Sequence, residues 1–115
     1  MTGEFYILKG KKVVTVKDVL VWGKWFQEND RRVAETTIGR YWVSTVFLGI
    51  DCNFSMRGKP LVFETMVFDR ESKKKYKLGE KEIESIGEEA DVDRYSTWEE
   101  AETGHKKMVE KWRKK

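Results

Sequence analysis

The segment Arg32–Ile50, R-V-A-E-T-T-I-G-R-Y-W-V-S-T-V-F-L-G-I, decides the fold class of this chain. Two runs rich in Val, Thr, Ile and aromatic residues flank Gly39-Arg40, a link short enough for a tight hairpin. Leu61–Asp69, L-V-F-E-T-M-V-F-D, repeats that chemistry after the turn-forming stretch Asp51–Lys59, D-C-N-F-S-M-R-G-K. Two of the three runs are apolar on both faces, as expected of central strands covered on at least one side. With links this short, an antiparallel meander is the simplest connection.

Toward the N-terminus, Glu4–Leu8 and Lys12–Val16 are two further β-rich runs separated by Lys9-Gly10-Lys11, an opening hairpin. A helix is expected next. Thr15 or Asp18 caps it, and Val19, Trp22, Trp25 and Phe26 gather on one stripe. Asn29-Asp30 ends it, since Asn tolerates the left-handed conformation at a helix C-terminus.

Toward the C-terminus, Arg70–Asp93 changes character, with Lys73-Lys74-Lys75, Gly79, Gly87 and Glu88-Glu89. Tyr76, Leu78, Ile83 and Ile86 partly anchor it. The stretch reads as a charged excursion, a strand extension with a short turn of helix. Ser96–Glu100, S-T-W-E-E, then offers a capping box with Thr97 at the N-cap and Glu100 three residues on. Trp98, Ala101, His105, Met108 and Trp112 recur at helical spacing, with acids in the first turns and Lys111, Arg113, Lys114 and Lys115 in the last, complementing the helix dipole. Gly104 costs this helix about 1 kcal/mol relative to Ala. Its presence points to a close approach by another backbone.

The expectation is a single α+β domain over residues 1–115. It has a mainly antiparallel sheet of about five strands with two helices packed on it. Trp22, Phe26, Trp98, Met108 and Trp112 form the helix side of the core. Five Trp, six Phe and four Tyr among 115 residues supply the bulk for it and exclude disorder of the whole chain.

The 23 basic and 20 acidic residues nearly cancel, leaving +3, so overall charge argues for neither nucleic acid nor membrane. One cysteine, Cys52, excludes an intramolecular disulfide and favours a reducing compartment. The longest apolar runs, Tyr41–Ile50 and Leu61–Phe68, are too short to span a bilayer, and no signal-peptide core is visible. A soluble protein is expected.

Five blocks carry a resemblance: Tyr6–Gly10 (Y-I-L-K-G), Trp22–Phe26 (W-G-K-W-F), Val43–Phe54 (V-S-T-V-F-L-G-I-D-C-N-F), Leu61–Phe68 (L-V-F-E-T-M-V-F) and Arg94–His105 (R-Y-S-T-W-E-E-A-E-T-G-H). In that order they resemble a group of small uncharacterised proteins encoded by tailed bacteriophages and prophages. The resemblance spans most of the chain except the charged excursion. It implies a phage or prophage origin and work in the host cytoplasm, and it supplies no biochemical activity. The chain departs from the group's pattern at Cys52, where a histidine is expected, and in the length of Arg70–Asp93.

No Gly-rich phosphate loop, paired-Cys zinc pattern, H-E-x-x-H or G-x-S-x-G motif occurs, so no cofactor or metal is implied. Cys52 and His105 could form a thiolate–imidazole pair oriented by Asp51 or Glu64, although His105 on an apolar helical stripe is more often structural. Asp51 and Asn53 offer oxygen ligands, but these side chains commonly bond their own turn. Glu64 shares its strand face with Val62, Met66 and Phe68, and must be paired, be protonated or face a pocket. Glu35, on a neighbouring strand, and Arg32 or Arg40 are its candidate partners.

Trp42, Phe47, Phe54 and Phe68 are either a stacking platform for single-stranded nucleic acid or simply core. Three functions follow. The foremost is an accessory binding protein acting on a host protein or small molecule, including counter-defence. The others are a nucleic-acid-associated module and a small enzyme centred on Glu64. Exposed strand edges would also permit a homo-oligomer.

Overall fold

The computed structural model describes residues 4–55 and 57–115, with backbone alone for Ser85 and Ile86. Met56 of the central loop and the expected anchoring side chain of Ile86 lie outside the described residues. The chain runs β1 (Phe5–Lys9), β2 (Lys12–Val16), α1 (Val19–Glu28), β3 (Arg32–Ile38), β4 (Tyr41–Phe47), β5 (Phe63–Leu78), β6 (Lys81–Tyr95) and α2 (Trp98–Arg113). It is an α+β fold. β1 and β2 form their own two-stranded sheet, and β3-β4-β5-β6 form an antiparallel sheet in sequence order. The β1–β2, β3–β4 and β5–β6 hairpins turn on two residues, the first a glycine with φ between 57° and 65°, a conformation that glycine adopts without steric cost.

α2 lies across one face of the larger sheet. Its Ala101, His105, Met108 and Val109 are buried there. Below them the strands contribute Val43, Thr45 and Phe47 from β4 and Phe63, Thr65 and Val67 from β5. The pairs Val43↔Val67, Thr45↔Thr65 and Phe47↔Phe63 stand directly opposite one another, so their side chains share that face. The β1–β2 hairpin closes one end of this layer by inserting Tyr6 and Leu8 beside Phe47, Val62 and Ala101.

α1 begins at Asp18, whose carboxylate accepts the Leu20 amide, but its apolar stripe is used differently from the expectation. Val19 is half exposed. Trp25 meets Phe47 edge-on at 5.7 Å, while Trp22 and Phe26 pack against the Gly49 backbone. A Cβ on Gly49 would stand 2.7 Å from the Phe26 ring, and the Trp22 indole donates to the Gly49 carbonyl at 3.1 Å. Asn29 ends α1 in an extended, not left-handed, conformation. Its side-chain amide donates to the Trp25 carbonyl instead.

The helix expected in Arg70–Asp93 is absent. β5 and β6 simply continue as a two-stranded ribbon from Lys73↔Ile86 to Leu78↔Lys81, beyond the last β4–β5 pair at Tyr41↔Asp69. Both strands alternate in water, held by Lys–Glu pairs such as Lys75–Glu82 at 3.9 Å. Tyr76, Leu78 and Ile83 are exposed on it.

β6 is an edge strand. Tyr95 turns its carbonyl inward to the Val62 amide, so the two-residue alternation sends the Val92 and Arg94 amides outward. Each is accepted at 2.9 Å by the carboxylate of the preceding residue, Asp91 or Asp93. The outward donors are therefore occupied, one way of blunting an edge.

Candidate functional site

Alternation along β5 puts neighbouring side chains on opposite faces of the sheet. Thr65 faces α2, so Glu64 and Met66 face away. The face turned from α2 carries Trp42, Ser44 and Val46 from β4, Glu64, Met66 and Phe68 from β5, and Val92 and Arg94 from β6. Among the described elements, none packs against it: α1 touches β1 and β2, while α2 touches the larger sheet from the other side. Trp42 and Phe68 stack at the end of this face nearest the ribbon, centroids 5.4 Å apart, with the Arg70 guanidinium 5.7 Å from the Trp42 ring.

Two charged pairs on this face are matched, while Arg70 has no carboxylate partner among the described residues. Glu64 accepts from the Arg94 guanidinium at 2.9 Å, and Arg32 pairs with Glu35 at 3.2 Å. Glu64 is thus a paired carboxylate. Its partner is none of Glu35, Arg32 and Arg40: Glu35 and Arg32 pair with each other, Arg40 is held by Asp69 at 2.7 Å, and Arg94 stands opposite Glu64 in the ladder. Val62, expected beside Glu64, precedes the strand and is buried in the core.

His105 belongs to the other face. Its Nε2 lies 2.9 Å from Thr36 Oγ1 and its Nδ1 2.7 Å from Thr45 Oγ1, which in turn meets Thr65 Oγ1 at 2.6 Å. The ring is 5% exposed, and burial pushes its pKa below the ordinary histidine value. The imidazole therefore ties three strands together in the neutral form. Because Glu64 faces away from α2 and His105 is sealed beneath it, the two cannot serve one site.

The loop between β4 and β5 is built by its own side chains. Asp51 Oδ1 accepts the amides of Asn53 and Leu61 at 2.8 and 2.9 Å, and Asn53 donates to the carbonyls of Arg57 and Lys59. Both residues act as turn formers. Cys52 is half-buried near Arg94 and Glu64. Burial raises its thiol pKa against the opposing pull of Arg94, so the thiol stays protonated and a poor nucleophile. The structure does not bring it to His105.

The four aromatics of the supposed platform separate. Phe47 is fully buried beneath α2 and Phe54 is 78% exposed on the loop, leaving only Trp42 and Phe68 together on the uncovered face. Arg94 and Arg70 are the neighbours that sequence reasoning missed. The Glu64–Arg94 charge match was the only signal for the first.

A second concavity, about 550 Å³, lies between the β6 edge and α2. Asp91 on its wall accepts from Lys111 at 2.7 Å and from the Trp112 indole at 3.0 Å. Burial opposes ionisation of Asp91, but these bonds outweigh it and hold the carboxyl below its ordinary range. Compared with known proteins, the chain matches no family model, no curated protein and no solved structure. No helix among the described residues is long and apolar enough to cross a membrane.

Proposed function

We propose that this chain is a small phage- or prophage-encoded accessory protein that works by binding a host protein through its uncovered sheet face. The supporting observation is the Trp42–Phe68 stack on a face no other described element covers. Met66 and Val92 lie in the next row of the face, and beyond them the Arg94–Glu64 and Arg32–Glu35 pairs mark one margin beside Val46. An exposed aromatic pair with apolar neighbours, bordered on one side by self-neutralised charges, suits a protein interface, and Trp is over-represented where binding energy concentrates. A counter-defence role is one form such binding takes. The phage origin rests on the sequence blocks alone.

The test uses the full chain as bait in host extract, with the captured protein then purified and titrated directly. Trp42→Ala and Phe68→Ala should each weaken that purified complex by about tenfold or more, in line with an interfacial aromatic contributing 2 kcal/mol or so. Equal affinity of Trp42→Ala and wild type would end this reading.

One observation favours a second reading. Arg70 over Trp42, on a sheet surface, is also a stacking arrangement suited to single-stranded nucleic acid. It predicts retention of single-stranded oligonucleotides that falls with salt and is lost in Trp42→Ala. Against it, the Arg94–Glu64 and Arg32–Glu35 pairs leave Arg70 as the one unmatched cation among the described residues of this face.

A further inference from the structure

The turn of the β1–β2 hairpin gathers like charges. Lys9 and Lys12 stand directly opposite each other in the ladder, and Lys11 lies between them. Like charges facing across a pair of strands destabilise it. Among the described residues the one ion pair this turn makes is Lys11–Glu102, at 3.9 Å, with both side chains largely in water. Such a pair contributes little and restrains Lys11 weakly.

This turn does not project into open solvent. It forms one wall of a cleft of about 510 Å³ whose other wall is the start of α2, with Thr97, Trp98 and Glu99. That volume falls in the range of small-molecule sites, roughly 300–1,000 Å³. The half-buried Trp98 ring lies in the wall, braced edge-on by Phe63 at 6.2 Å, so the hydrophobic core fixes its orientation. Lys11 Nζ rests 5.8 Å from the Trp98 centroid, and its 66% exposed side chain is free to swing aside. The Trp98 indole N–H is shielded from solvent and has no acceptor among the described residues.

We infer that this cleft binds a nucleoside phosphate, with Lys9, Lys11 and Lys12 on the phosphate groups and the base against the Trp98 ring. Lys9 and Lys12 face each other across the ladder and line the cleft with Lys11, so an anion bound there would offset their repulsion. A flat ring braced in the adjoining wall suits an aromatic base, and stacking of this kind contributes about 1–3 kcal/mol. Among the described residues lining the cleft, Glu99 is the one opposing charge, with Glu102 beside Lys11 just outside that lining. It disfavours anions of high charge density that lack a stacking group. This inference stands apart from the sheet-face reading, since it involves neither Trp42 nor Phe68.

The experiment is calorimetric titration of the full chain at low salt with ATP, AMP and inorganic tripolyphosphate. Saturable one-to-one binding of ATP is expected, with tripolyphosphate weaker by about tenfold, the share assigned to stacking. The Lys9→Ala/Lys12→Ala double variant should weaken ATP binding by at least about tenfold, and added salt should weaken it progressively. Both lysines are exposed, so circular dichroism should report an unchanged fold. Glu99→Gln should tighten binding. Absence of saturable heat with ATP, undiminished binding by the double variant, or tripolyphosphate binding as tightly as ATP would each overturn the inference.

Discussion

His105 is the side chain whose loss would disturb three strands at once, through Thr36 on β3, Thr45 on β4 and, by relay, Thr65 on β5. His105→Ala should cost about 2–4 kcal/mol in urea unfolding, since it leaves a cavity and strands buried hydroxyls. The same residue sets a pH dependence. Its folded-state pKa lies below that of the unfolded chain, so unfolding takes up a proton and acid favours it. Stability should be full above about pH 6.5 and fall below it, by at most about 1.4 kcal/mol per pH unit, until the folded imidazole titrates too. His105→Gln should flatten the unfolding midpoint between about pH 6.5 and 5, before the carboxylates begin to titrate. A second residue-scale prediction concerns Gly104. A Cβ there would overlap the Tyr95 ring, so the close approach expected of a backbone is in fact made by a side chain. The Tyr95 hydroxyl is buried beside Thr65. Gly104→Ala should therefore destabilise by about 1–3 kcal/mol, and adding Tyr95→Leu should recover part of that loss in a double-mutant cycle.

Among the elements, α2 was the most legible in sequence, and the reasons are visible. Thr97 accepts the Glu100 amide at 3.1 Å, and the stripe from Trp98 to Trp112 meets the sheet. Capping chemistry and one-sided burial leave a pattern in the residues. The ribbon leaves none of that kind, because both of its faces are in water and no alternation of apolar and polar residues is imposed. Its only signature is complementary charge, Lys73–Lys77 on one strand against Glu82, Glu84 and Glu88 on the other. Missing that pairing also hid Arg94 as the partner of Glu64, since the two meet only when β5 and β6 are recognised as one hairpin. An isolated two-stranded ribbon is marginal in water, so this one draws little stability from itself and lends little to the body. Replacing residues 73–86 by an Asn-Gly turn should change the unfolding free energy by less than about 1 kcal/mol. A loss of several kcal/mol would mean that the ribbon supports the core in a way its present contacts do not suggest.

At the scale of the whole molecule, the ribbon sets the outline. The radius of gyration is 16.3 Å. A compact chain of this length would have one of about 13 Å. Small-angle scattering should recover the larger value for the full chain and fall toward about 13–14 Å once the ribbon is removed. An unchanged profile would indicate that the ribbon folds back on the body in solution. The near-balance of charge was readable from composition. Which face of the sheet stays uncovered was not, because that depends on where α2 and the small hairpin dock. Trp42 and Phe68 look identical in sequence to core aromatics such as Phe47 and Phe63; only the parity of the strand, fixed by register, separates them. One further consequence follows from the carboxylates of Asp91 and Asp93, which occupy the outward amides of β6. A foreign strand arriving at this border finds its donors already taken, so fibril growth from concentrated stocks would have to start at β3 or along the ribbon. Replacing both carboxylates in an Asp91→Ala/Asp93→Ala variant would remove the guard, and the onset of thioflavin-positive aggregates should then move to the body of the sheet.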